Sequence, residues 1–108
     1  MKNKEAIRDR MVGAIYRAIN AVNELLPIEN QLLQSPDERL IGPEGKLDSL
    51  GYINLVIALE QEYENEFGFS LSLSDEGLRR ETPDPFQTIS TLADFLLVRH
   101  EDKLKISK

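Results

Sequence analysis

Leu47-Asp48-Ser49-Leu50 is the one short stretch in which residue types and spacing suggest chemistry. A small hydroxyl stands beside a carboxylate, just where a long apolar segment begins. Two readings follow from the same placement. Ser49 can be a helix N-cap or first-turn residue, its oxygen accepting from a free backbone N–H, and Asp48 can do that work equally well while complementing the positive helix end. Alternatively, Ser49 is a handle. A helix start exposes N–H donors and favours negative charge, so a phosphate ester on Ser49 Oγ would be well placed. Gly45 and Gly51 keep the surroundings slim enough for a modifying enzyme to reach it.

Other chemistry is poorly supported. His100 is the single histidine and there is no cysteine. A thiolate zinc site, a disulfide and a cysteine nucleophile are therefore excluded, and a transition-metal site has no second soft ligand. His100 falls near the expected end of the last helix, where a cation suits the dipole. Ser49, His100 and an acid can be written as a triad, but nothing in their spacing brings them together. Asp75, Glu76 and Asp84 do not fit an EF-hand loop, and no Gly-rich phosphate loop is present. The chain is read as a non-enzyme.

The elements that must position Ser49 follow from periodicity. Residues 4–26 predict a helix, with Ile7, Met11, Ile15, Ala18, Val22 and Leu25 or Leu26 at steps of three and four. Lys4, Arg8, Arg10, Arg17 and Glu24 fall on its wet side, and Pro27 marks its stop. Residues 27–48 are rich in Pro and Gly and predict a long loop anchored by Leu32, Leu33, Leu40, Ile41 and Leu47. Residues 49–67 predict the clearest helix. Tyr52, Val56, Leu59, Tyr63 and Phe67 form its stripe, Leu50, Ile53, Leu55 and Ile57 widen it, and Gly68 ends it. Phe69 to Leu73 alternate like a strand but have no partner strand, so an extended connection is expected. Ser72 or Ser74 can cap a short helix, Thr82-Pro-Asp-Pro interrupts, and a last helix spans 89–99 behind Thr88 or Ser90, with Ile89, Leu92, Phe95, Leu96 and Val98 inward. Residues 101–108 are read as a frayed tail. The expected fold is all-α: a small four-helix bundle of three long helices and one short, with a long loop between the first two, in one domain over residues 1–108.

Composition agrees. The 108 residues suffice for one core, and 30% charged against 41% hydrophobic residues is an ordinary globular balance. With only 6% aromatics and no tryptophan, packed helices suit the chain better than an aromatic-rich sandwich. A net charge of −6 disfavours nucleic acid and anionic membranes as partners. No run is long and apolar enough to span a membrane, and MKNKEAIRDRMV is too charged for a signal peptide, so a cytoplasmic, monomeric protein is expected.

Leu47-Asp48-Ser49-Leu50 followed by Ile53-Asn54-Leu55-Val56-Ile57-Ala58-Leu59-Glu60-Gln61-Glu62-Tyr63 resembles the second helix of acyl carrier proteins. Thr88-Ile89-Ser90-Thr91-Leu92-Ala93-Asp94-Phe95-Leu96 resembles that family's closing segment, so the resemblance covers roughly residues 5–99. It implies a bundle of acyl-carrier type whose Ser49 carries 4′-phosphopantetheine, flanked by Asp48 and Leu50. A phosphopantetheinyl transferase would supply the arm from coenzyme A with Mg²⁺: Ser49 Oγ attacks the β-phosphate and 3′,5′-ADP leaves. The arm's thiol would hold acyl groups as thioesters for an acyl-activating ligase, an acyltransferase or a synthase. The resemblance also implies docking through Asp48, Leu50, Tyr52, Ile53 and Glu60, with Leu50, Ile53, Val56, Leu59 and Phe95 as candidate walls for an acyl chain. Ordinary core packing is the competing use of those wall residues, and a solvated helix surface that of the acids from Glu60 to Glu66. Gly51, Tyr52 and Asn54 stand where housekeeping carriers place acids, and the stretch from Phe67 to Phe86 is longer than in compact carriers. These departures point to a specialised lipid or secondary-metabolite pathway. An aminoacyl or peptidyl carrier and an unmodified helical adaptor are the alternatives, and a small serine hydrolase is the most remote.

Overall fold

A computed structural model describes residues 2–41, 45–73 and 85–106, with side chains from Glu5 to Leu104 within those ranges. The described residues form three helices and no strands: α1 (Lys2–Asn23), α2 (Ser49–Phe67) and α3 (Ile89–Ile106), with a 3₁₀ turn at Ile28–Asn30. The short helix expected after Ser72, its cap Ser74 and most of Thr82-Pro-Asp-Pro lie outside the described residues, as do Asp75, Glu76 and Asp84.

The apolar period makes α1 the central element, in contact with both α2 and α3. Met11, Ile15, Ala18, Ile19 and Val22 are buried against Leu55, Leu59 and Tyr63 of α2 and Ile89, Leu92 and Leu96 of α3. α1 runs antiparallel to α2. Arg10 pairs with Glu66 near one end, at 2.7 Å, and Arg17 reaches both Glu62 and Glu66 at 2.9 and 2.8 Å. The guanidinium of Arg10 also lies 4.7 Å from the Phe67 ring centre. These pairs are partly exposed, so apolar burial supplies most of the cohesion and the pairs set register.

α1 stops at Asn23, before Pro27, because side chains take over its free end. Asn23 clasps Leu32, accepting from its N–H at 2.8 Å and donating to its carbonyl at 2.9 Å. The Gln31 carboxamide donates to the carbonyls of Asn23 and Leu26. The loop that follows is ordered by Leu32 and Leu40, both buried, while Leu33 is exposed. It also completes α3. The first-turn N–H groups of Ile89 and Ser90 donate to the carbonyls of Glu38 and Pro36, and Leu40 donates to Gln87. Thr88 caps α3 reciprocally with Thr91: each hydroxyl accepts from the other's backbone N–H, at 3.1 and 3.0 Å.

Two sequence expectations need correction here. α3 does not end at residue 99 with a frayed tail behind it: the helix continues through Ile106. The segment after His100 contains good helix formers, and lysines in a last turn complement the dipole. Val98 is exposed rather than inward. α2 has the expected bounds, and Gly68 ends it at φ 83°, where a Cβ would be strained, with its N–H on Glu64 O at 2.8 Å.

Candidate functional site

The start of α2 resolves which residue caps. Asp48 is extended, at φ −88° and ψ −171°, and its Oδ1 accepts from Gly51 N at 2.8 Å. Its carbonyl accepts the first helical bond, from Tyr52 N at 2.8 Å. Ser49 is therefore the first helical residue, exposed, with its hydroxyl outside the cap. The amides of Ser49 and Leu50 are the first-turn donors that neither the cap nor the helix uses.

Gly51 contributes in a different way from the openness its sequence position suggests. It is buried, and a Cβ there would stand 3.0 Å from Leu47 Cδ2 and 3.3 Å from Asp48 Oδ1. The missing side chain lets Leu47 and the capping carboxylate fold back over the first turn. Gly45, at the other end of this approach, passes so close to the Ile41 backbone that a Cβ would meet it at 2.5 Å. Lys46 secures the same segment, donating to Gln31 O and to Glu38 Oε2 at 3.1 and 3.0 Å.

The structure separates the other candidate residues. Leu50 and Ile53 do not line a buried wall: they are 66% and 51% exposed, and Ile57, expected to widen the core stripe, is 58% exposed. Val56 and Leu59 are in the core, and Phe95 is partly buried beneath the Arg99 guanidinium at 5.5 Å. The helical period explains this outcome. Leu50, Ile53 and Ile57 fall on one face, opposite Leu55 and Leu59, and the bundle has no further described element to cover it. Tyr52 is partly buried, edge-on to Phe86 with ring centres 5.1 Å apart. Glu60 accepts from Leu73 N at 2.5 Å, and so holds the chain after α2. Of the residues expected to dock a partner, Asp48, Leu50 and Ile53 are exposed, the carboxylate of Asp48 being engaged in the cap, while Tyr52 and Glu60 are half-buried.

The acids of α2 are largely engaged within the fold. Glu62 and Glu66 pair with Arg17 and Arg10, which holds the Glu66 carboxyl below its usual range through hydrogen bonds from both guanidiniums and raises Arg17. Beside the exposed crest, a groove of about 200 Å³ runs between the C-terminal part of α1 and α2, lined by Val22, Leu25, Asn54, Ile57 and Gln61 among others.

His100 is not a dipole-complementing surface cation. It is 4% exposed, and Tyr63 Oη lies 2.5 Å from its Nδ1. Phe67 and Phe69 flank it, with ring centres 4.6 and 5.5 Å away. Burial lowers the His100 pKa, the charge of Arg10 lowers it further, and Glu101 opposes them. Burial pushes Tyr63 up to about 12. Both directions describe one bond: Tyr63 O–H donates and a neutral His100 Nδ1 accepts. Sequence periodicity alone gave no signal for this pair, which joins positions 37 residues apart. It lies at the far end of α2 from Ser49, so the two form no triad.

Among the described residues no cluster of histidine and carboxylates is arranged to hold a metal ion, and no helix is long and apolar enough to cross a membrane. Comparison of the chain with protein-family models, curated proteins and solved structures finds no match.

Proposed function

We propose that this chain is an acyl carrier whose Ser49 Oγ bears a 4′-phosphopantetheine arm, serving a specialised lipid or secondary-metabolite pathway. One observation carries the reading: Asp48 caps α2, so Ser49 stands exposed at the first helical position with a hydroxyl that takes no part in the cap. The proposal includes the four-helix form of such a carrier bundle.

The residues present fit such a group. The amides of Ser49 and Leu50 and the positive end of α2 favour a phosphodiester at Ser49 Oγ. Gly51 lets Leu47 and the Asp48 cap pack closely over that first turn, beside the attachment point. The arm, when attached, supplies the thiol that a chain without cysteine lacks. The exposed side chains of Leu50 and Ile53 flank Ser49 and offer a phosphopantetheinyl transferase, and then a ligase, acyltransferase or synthase, an apolar grip.

The same exposed face, extended by Ile57, also suits an unmodified helical adaptor. Intact-protein mass after incubation with coenzyme A, Mg²⁺ and a permissive phosphopantetheinyl transferase decides between them. Wild type is expected to gain one phosphopantetheine and Ser49→Ala none. No gain with several transferases overturns the carrier reading in favour of the adaptor.

A further inference from the structure

We infer that the groove between α1 and α2 is the resting site of the arm carried on Ser49. This rests on the carrier reading above.

The groove has the right chemistry. Val22, Leu25 and Ile57 give it apolar walls, and Asn54 and Gln61 add two neutral carboxamides. The described lining holds no charged side chain. A phosphopantetheine arm is built to the same pattern: beyond its phosphate it is uncharged, with a branched dimethyl carbon and two amides. The dimethyl carbon stands next to the phosphate, so it meets Ile53 on the crest, and the methylene units farther along match the Leu25–Ile57 wall. The amides follow it and match Asn54 and then the Gln61 end of the groove, since a carboxamide both donates to a carbonyl and accepts from an N–H.

The groove also lies on the arm's path. Asn54 and Gln61 follow Ser49 by five and twelve residues, about 8 and 18 Å along the helix at 1.5 Å per residue. Ser49 does not face the groove directly. At 100° per residue, Ile53 and Ile57 lie at intermediate angles between Ser49 and Asn54. An arm crossing that crest covers apolar side chains that are otherwise 51% and 58% exposed. Leu25, 68% exposed, forms the far bank. Burying such surface is favourable in proportion to the apolar area removed from water. The site thus explains why uncharged residues occupy this face while Glu62 and Glu66 of α2 pair with α1.

The absence of cysteine from the chain makes a direct test possible. ¹⁵N-labelled protein is converted with coenzyme A, Mg²⁺ and transferase, and conversion is verified by mass. A nitroxide attached through the arm's thiol then labels only the arm. The expected result is strong paramagnetic broadening of Leu25, Ile57 and the Asn54 and Gln61 side-chain amides, with Leu71 and Lys103 unaffected. Asn54→Leu/Gln61→Leu, at one half-buried and one exposed position, is expected to relieve the broadening at Leu25. Full conversion with broadening confined to the neighbours of Ser49, or directed towards Phe86 and α3, overturns the groove site and leaves the carrier reading intact. Failure of wild type to gain mass overturns both, and is read before any label is added.

Discussion

Replacing Tyr63 by Phe removes one oxygen and leaves the aromatic packing in place. The ring still meets Phe67 and Phe69, at centre distances of 4.8 and 5.5 Å. The cost is therefore that of a buried acceptor losing its donor, because His100 Nδ1 has Tyr63 Oη as its partner at 2.5 Å and the residue is only 4% exposed. Such a loss is expected to cost about 1–3 kcal/mol. For a domain of this size, about 1 kcal/mol moves the midpoint by about 4–8 °C, so a fall of roughly 4–24 °C is expected. His100→Phe should cost a similar amount by stranding the Tyr63 hydroxyl, and Tyr63→Phe/His100→Phe less than the two together, with a coupling of about 0.5–3 kcal/mol. The same pair gives a pH signature. The folded protein holds His100 neutral with its pKa below the ordinary 6.5, so the unfolded chain binds the proton more readily. The neutral pair's contribution is full above about pH 6.5. It falls as pH drops from there towards the lower folded pKa, with a slope of at most about 1.4 kcal/mol per pH unit for one proton. Thermal melts of wild type and His100→Phe from pH 8 to 5 read this directly, because the difference between them removes the carboxylates they share. Additive costs within about 0.5 kcal/mol, or parallel pH profiles, would refute the bond and the neutral histidine.

Three further outcomes are expected. Asp48→Ala should destabilise by about 1 kcal/mol through loss of the bond to Gly51 N, whereas Ser49→Ala should stay within about 0.5 kcal/mol in urea unfolding, the cap being Asp48's. The reverse order would return the capping role to Ser49. Leu59→Ala should cost about 2–5 kcal/mol and Ile57→Ala less than about 0.5, since two residues along α2 separate the core from the exposed crest; equal costs in denaturant melts would mean the crest is covered. Gly68→Ala should cost about 1 kcal/mol by forcing a side chain into φ 83°, which circular-dichroism melts would detect as a lower midpoint.

Local signals carried α2 almost completely. An acidic cap before it, apolar spacing along it and a glycine after it act within a few residues, so residues 49–67 and the Gly68 stop were readable without a fold. α3 was less legible because its end depends on weak propensities: the charged stretch after His100 resembles a tail, yet it continues the helix to Ile106. The candidate site was half legible. Asp48 and Ser49 were both plausible caps from spacing, and only backbone angles and the 2.8 Å bond to Gly51 N assign the work to Asp48.

What the chain alone determined were properties of single segments: helices rather than strands, an acidic surface, no thiol, and a serine at a helix start. Which apolar residues are inside was a different matter. α2 is apolar nearly all round in its first half, so periodicity cannot choose between Leu55 and Ile57; α1 and α3 choose by packing against one side. The neutral state of His100 was likewise decided by distance. A tyrosine 37 residues away and the rings of Phe67 and Phe69 exclude water from it, and desolvation outweighs the favourable position any cation would have near a helix C-terminus.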